Sequence, residues 1–294
     1  MNYNITHRTI YEYAAPVAVS HHVARLEPRG TAVQTPENFS LKIFPQPVLR
    51  KARTDYFGNQ LCFFSVQEIH QRLEITATSR VSIICKPEPV APDTSPAWEQ
   101  AAQLFRDPVA PDIIGPYQFV FDSPQVCVSF DLADYARESF QKDTPLLAGT
   151  LDLTRRIFKD FKYDSKATTI VTPLEEVLEK RRGVCQDFAH LGIACLRSLG
   201  LPARYVSGYL RTHPPEGKEK LIGADASHAW FSVFCPRNGW SDFDPTNNLQ
   251  VSEEHITVAY GRDFSDVSPV AGILTGGGQH EVKVSVDVKE VPAA

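Results

Sequence analysis

Arg181-Arg182-Gly183-Val184-Cys185-Gln186-Asp187-Phe188-Ala189-His190 is the stretch on which the fold turns. From it onward, Phe188, Leu191, Gly192, Cys195 and Leu199 recur at i, i+3, i+4, i+7 and i+11 spacing, the pattern of a helix with an apolar face. Gly200, with Pro202 behind it, supplies the stop. Cys185 therefore stands at the first turn of a buried helix. Just upstream, Thr172-Pro173-Leu174-Glu175 matches a capping box, so a short helix is predicted to run to about Lys180 and to stop at Gly183.

The periods on either side set the architecture. Residues 203–210, 228–235 and 240–244 read as strands, with Asn238-Gly239 in the turn between the last two. Upstream, Ser95-Pro96 reads as an N-cap followed by proline at the first helical position, with Trp98, Ala101, Ala102 and Phe105 on one face. Further helices are expected over residues 131–141 and 145–161. The opening residues alternate instead: Tyr3, Ile5, Thr9, Tyr11 and Tyr13 share one face, and residues 40–44 and 60–66 follow with turn chemistry such as Phe57-Gly58-Asn59 between them. Residues 86–93 carry three prolines in eight positions, which suits an extended linker and not a sheet interior. Val282, Val284, Val286 and Val288 alternate and must pair with some sheet, which the sequence leaves open. The expected fold is α+β. It has an N-terminal antiparallel β-sandwich over 1–90, a core of helices packed on an antiparallel sheet over 91–279, and a C-terminal strand in 280–294.

Composition bounds the function. At 294 residues the chain exceeds the usual size of one hydrophobic core, so it can bury a rigid site. A net charge of -5 argues against nucleic acid or an anionic membrane surface as partner. The opening Met1-Asn2-Tyr3-Asn4-Ile5-Thr6-His7-Arg8 has no apolar h-region, and no stretch approaches the roughly 20 apolar residues of a span, so a cytoplasmic location is expected. Six cysteines, at 62, 85, 127, 185, 195 and 235, lack C-x-x-C pairs and fit reduced thiols. With no D-x-D-x-D-G loop, neither calcium nor another metal or cofactor is expected, and zinc on Cys185, His190 and His228 would match no familiar spacing. Oligomeric state is not encoded in these letters.

The chemistry lies in three separated pieces. Cys185 opens its helix, Ser227-His228-Ala229-Trp230 opens a strand, and Trp240-Ser241-Asp242-Phe243-Asp244-Pro245-Thr246 forms the next one. A thiol attacks as thiolate, and a helix N-terminus favours the anion by about 0.3–1 kcal/mol, too little to ionise it at neutral pH without a cationic partner. His228 is that candidate, sharing a face with Trp230. The competitor His190 lies five residues beyond Cys185, about 500° around the helix, and points away. An imidazole needs an orienting acceptor, for which Asp242 and Asp244 are both candidates on one face. A two-residue hairpin at Asn238-Gly239 would set His228 opposite Leu249 and place Asp244 on the wrong face, so contact requires a wider loop or a bulge. Singly, a cysteine starting a helix, a histidine on a strand and an Asp-Pro-Thr turn are ordinary structural features. Together they spell a nucleophilic cysteine site.

These residues resemble the transglutaminase-like family of the papain-type superfamily, in particular its bacterial branch. Its core carries Gly183-Val184-Cys185-Gln186-Asp187, His228-Ala229-Trp230 and Trp240 through Thr246 in that order. The opening Tyr-x-Ile-x-His-x-Thr-x-Tyr of residues 3–11 resembles the β-rich N-terminal domain of that branch. The resemblance implies a triad of Cys185, His228 and Asp244, choosing Asp244 over Asp242, and a thioester acyl-enzyme. It also implies an oxyanion site built on the Cys185 backbone N–H. Animal members add an upstream tryptophan; none occurs between Trp98 and Trp230 here, so Tyr163 is the expected second donor, with Gln186 and Trp230 as supporting residues. The expected activity is cleavage of a peptide or isopeptide-like amide by water. The alternatives are transglutaminase-type amine transfer and a non-catalytic binding module on the same fold.

Overall fold

The computed structural model describes residues 1–84, 91–106, 111–169, 172–212 and 227–292. Residues 86–90, most of the expected proline-rich linker, lie outside the described residues. The chain opens with β1 (Asn2–Ala24), β2 (Gln34–Phe44), β3 (Leu49–Thr54), β4 (Gln60–Val66) and β5 (His70–Ile83). Next come α1 (Trp98–Leu104), α2 (Pro111–Tyr117), α3 (Phe130–Arg137), α4 (Leu146–Asp160), β6 (Lys162–Tyr163), α5 (Leu174–Lys180), β7 (Arg182–Gly183) and α6 (Cys185–Ser198). The remainder is β8 (Ala203–Leu210), β9 (Ser227–Cys235), β10 (Gly239–Asp244), β11 (Leu249–Gln250), β12 (His255–Gly261), α7 (Phe264–Val267), β13 (Val270–Gly276) and β14 (His280–Val291).

The N-terminal region is a curled antiparallel sheet of seven strands organised around β1. The first half of β1 runs between β5 and β14, and its second half between β4 and β13. The register breaks between Glu12 and Val17 against β5 and between Val17 and Val19 against β13, which is where an extra residue bends a strand and lets one sheet serve two layers. The partner left open by the sequence is thus β1 itself, since β14 pairs with it from Asn2↔Val291 to Tyr13↔His280. Strand β13, within the stretch assigned to the core by sequence, joins the same sheet.

The core sheet is antiparallel with order β11-β10-β9-β8-β12. Helix α6 lies on β8 and β9, while α3, α4 and α5 close over its other side. The sequence shows one apolar face, yet every residue from Asp187 to Arg197 is buried because the helix is wrapped on all sides. Even Arg197 is inside, its guanidinium donating to the carbonyls of Phe121, Ala203 and Arg262.

The exposed edge of β12 is satisfied by side chains from the other sheet. The Gln34 amide donates to Thr257 O at 2.8 Å and accepts from Thr257 N at 2.9 Å. Asn59 does the same for Tyr260, at 2.7 and 2.8 Å. Two amides thus take the place of a neighbouring strand, which blunts an edge that would otherwise template aggregation. Tyr3, Ile5, Val81, Val286 and Val288 of the N-terminal sheet share one continuous apolar cluster with the core.

Several caps differ from expectation. Helix α1 begins at Trp98 and Ser95 does not cap it; the Ser95 hydroxyl accepts instead from Leu147 N at 2.9 Å, tying down the start of α4. The Thr172 capping box does not form, because its hydroxyl accepts from Thr169 N at 2.9 Å. Helix α5 ends at Arg181, which takes the left-handed conformation at φ 54°, and Gly183 goes into β7 beside Tyr163. Gly200 ends α6 as expected.

The β9–β10 hairpin supplies the wider loop that contact demands. Gly239 lies opposite Cys235, leaving residues 236–238 between them, and takes φ 74°. This register puts His228 and Asp244 on one face. On β8, Gly208 sits opposite His228, and a Cβ there would lie 2.2 Å from Ile256 O and 2.5 Å from the Trp230 ring. Gly208→Ala is expected to cost about 1–3 kcal/mol of stability by forcing backbone and indole apart, read as a lower denaturation midpoint. An unchanged midpoint would contradict this packing.

Candidate active site

Cys185 is the first residue of α6, after the extended Val184. The turn is held by Asp187, whose carboxylate accepts the Val184 N–H at 2.8 Å and the Thr168 hydroxyl at 2.6 Å. Burial raises the Asp187 pKa despite these two bonds, which act to lower it. The thiol is half-buried at the rim of the core, so it is both positioned and reachable.

His228 is the second residue of β9 and is 9% exposed. Its Nε2 lies 2.7 Å from Asp244 Oδ2, and Cys185 is near enough for its sulfur to act on the ring's pKa. Burial alone would lower its pKa, but the hydrogen bond to Asp244 and the nearby charges of Asp244 and Cys185 outweigh burial and raise it to about 10. The imidazole thus holds its proton more firmly than a free one does.

Asp244 is fully buried and every lone pair is used. Its Oδ1 accepts from Thr246 N at 2.9 Å and Asn247 N at 3.2 Å, closing an Asx-type turn over Pro245. Oδ2 accepts from Asn247 Nδ2 at 2.7 Å and meets both His228 and His255 Nε2, the latter at 3.2 Å. Burial would raise this carboxyl; the hydrogen bonds from His228 and His255 prevail and hold it well below the usual carboxylate range. His255 Nδ1 accepts from Ser252 N at 3.3 Å, so its Nε2 carries the proton given to Asp244.

His255 and Asn247 were not singled out from the sequence. The Asx turn after Asp244 is a signal that could have found Asn247; nothing in the sequence marks His255. One donor atom each from His228, Asp244 and His255 lies within 4.8 Å of the others, the geometry of a possible metal group, but these atoms are already joined in a hydrogen-bonded row.

The other expected residues fall around this row. Trp230 is fully buried and packs against the rings of both His228 and His255, with Nε1 donating to Asp242 Oδ2 at 3.4 Å. Asp242 therefore serves the indole and not the imidazole. Tyr163, 56% exposed, lies opposite Gly183, and its pKa is raised first by partial burial and then by the charges of Cys185 and Asp187. Gln186 is half-buried and lines a cavity of about 470 Å³ together with His190, Leu174 and Cys127. His190 points elsewhere: its Nε2 accepts from Phe264 N at 3.1 Å, its ring lies on Tyr205, and burial lowers its pKa to about 4.

Comparison with known proteins places this geometry. Residues 133–245 match the transglutaminase-like superfamily model, and residues 3–82 match that of the bacterial transglutaminase-like N-terminal region. The chain belongs to the transglutaminase-like superfamily. This transglutaminase-like chain is 42% identical over 291 residues to an uncharacterised protein of Mycobacterium tuberculosis, covering 97% of this chain and 92% of the relative. It is 30% identical over 133 residues to the protein-glutamine gamma-glutamyltransferase of Pseudomonas aeruginosa, covering 42% of this chain and 19% of that protein. Among solved structures, a candidate cysteine protease from Cytophaga hutchinsonii superposes with a TM-score of 0.74 at 23% identity, over 100% of this chain and 92% of that one, showing a shared two-part fold. Among the described residues, no helix is long and apolar enough to cross a membrane.

Proposed function

We propose that the protein is a cysteine-nucleophile acyl-transfer enzyme that hydrolyses a peptide or isopeptide-like amide. The observation that supports this reading is the 2.7 Å hydrogen bond from His228 to an Asp244 carboxylate also held by Asn247 and His255, with Cys185 at the helix start near enough to act on the imidazole. The sulfur attacks the carbonyl carbon, and the oxyanion is met by the Cys185 backbone N–H, with the nearby Tyr163 phenol as second donor. The C–N bond then breaks as His228 gives its proton to the leaving amine, leaving a thioester on Cys185. His228, now neutral, takes a proton from water as it attacks the thioester, and the acid leaves with thiolate and imidazolium restored. Asp244 fixes the ring throughout, and Gln186 and Trp230 support the walls.

Water as the acceptor is supported by the half-buried setting of the thiol, which leaves the acyl group open to solvent. The name of the Pseudomonas relative favours a second reading, transfer to an amine. An amide library incubated with and without added amines, followed by mass spectrometry, separates the readings. The expected result is a thioester adduct on Cys185 that decays to free acid, with unchanged acid yield when amines are present. Predominant amide products with the added amines would replace hydrolysis with transfer. No adduct, together with iodoacetamide alkylation of Cys185 no faster than a free thiol at about pH 6–7, would sink the enzyme reading and leave a binding module.

A further inference from the structure

Apart from the nucleophile, a cavity of about 320 Å³ lies between the two sheets and meets the catalytic row only at His255. Residues 31–34 and Ile83 close it from the N-terminal side, and Arg204, Trp240, Asp242, His255 and Tyr260 from the core side. Cys185, His228 and Asp244 do not line it, so it is separate from the nucleophile. Its size suits a small molecule of about ten heavy atoms.

The cavity owes its character to Arg204. Cross-strand pairing puts Arg204 opposite Ser232, and Ser232 opposite Asp242, a polar row on the sheet face that also carries His228. The guanidinium is clamped between two rings, 4.1 Å from the Trp240 centroid and 3.6 Å from that of Tyr260. Stacking on both faces leaves the N–H groups pointing outward in the guanidinium plane, the directions in which a carboxylate is held. Among the described residues no hydrogen bond or ion pair uses them; Nε is sealed from solvent without a partner, as is the hydroxyl of Ser232 beside it. Burial accordingly lowers the Arg204 pKa, with Tyr260 and Asp242 acting the other way. Asp242 is near enough to act on Arg204 through its charge, but it makes no ion pair with it, and one of its oxygens takes the Trp230 N–H. One wall thus offers a planar cation without an anion, and beside it stands a carboxylate with an oxygen to spare.

We propose that this cavity is a binding site for a small amino-carboxylate, such as a free amino acid. The ligand carboxylate forms a forked pair with Arg204, the ammonium turns toward Asp242, and Trp240 and Tyr260 border its aliphatic part. The site is read by binding alone, so it stands or falls independently of the reaction assigned to Cys185.

The test is calorimetric titration of the intact protein with the common L-amino acids, and with matched primary amines and monocarboxylates that lack one of the two charges. At least one amino acid is expected to bind saturably, with both single-charge controls weaker by tenfold or more, on the order of 1.4 kcal/mol. Arg204→Gln should weaken that binding at least about tenfold. Ala32→Trp, which fills the exposed mouth from the N-terminal side and leaves Arg204 in place, should abolish it; this variant decides the matter if Arg204→Gln does not fold. Prior alkylation of Cys185 should leave binding unchanged. The proposal is overturned if no amino acid binds, if monocarboxylates bind as well, if a folded Ala32→Trp protein binds like the wild type, or if alkylation removes binding.

Discussion

Cys185→Ala is expected to lower kcat by about 10⁶-fold on any amide the wild type turns over, because every later step depends on the thioester that only this sulfur can form. The fold should survive. The thiol is only half-buried at the core rim, so the melting temperature should move by no more than a few degrees. A second readout comes from His228: with the thiol gone, the ring loses one of the two neighbours that raise its pKa, and its titration by NMR should shift below about 10. Retained turnover, or an unmoved His228 titration, would remove Cys185 from the site.

Asp244→Asn carries the second large effect, about 10⁴-fold in kcat, for a reason specific to this geometry. Both carboxylate oxygens accept only from donors: backbone N–H groups at Oδ1, and Asn247, His228 and His255 at Oδ2. An amide must put its NH2 toward one of these sets, so a donor faces donors whichever way it flips. Breaking one partner of a buried ionic pair also costs about 3 kcal/mol or more, so rates should be compared well below the unfolding temperature. The sign of the pH dependence follows. Raised from 6.5 to about 10, His228 contributes stability that is complete below pH 6.5 and fades as pH rises through 10. Lowered from 3.8, Asp244 contributes stability present above that pH and lost as pH falls through its folded value. In the variant both slopes should flatten, and the alkaline limit of activity, set by deprotonation of His228, should move to lower pH. Asp242→Asn is the control and should keep near-full activity, since that carboxylate serves Trp230. The reverse ranking of the two variants would reassign the orienting residue.

How much of this was legible follows from the range over which each signal acts. The helix opened by Cys185 and the three strands after it were readable because their periods are local. Spacing alone could not bring His228 to Asp244, since an ideal two-residue hairpin gives the wrong parity; one more loop residue, residues 236–238 before Gly239, reverses it. His255 was invisible because it reaches Asp244 from the far edge strand, across a register shift between Thr257 and Ala259. The burial of α6 on every side was equally hidden, since it depends on α3, α4 and α5 folding back over it. Ser95 shows local cap chemistry overruled by a tertiary partner, Leu147 N, and Thr172 by a competing local turn with Thr169 N. The partner of β14 could not be read because its pattern fits any sheet with a free edge.

That last pairing bears on how the protein is made. Strand β14 lies along β1 for twelve consecutive pairs, with Lys283 reaching Glu12 across 271 positions of chain. A ribosome releases β1 long before its neighbour exists, so half of the first strand waits with an open, hydrogen-bonding flank until β14 has been synthesised. Contacts of such sequence separation close slowly, and incomplete sheets are prone to stray pairing with other chains. Correct assembly of the first sheet thus has to wait until β14 has been made.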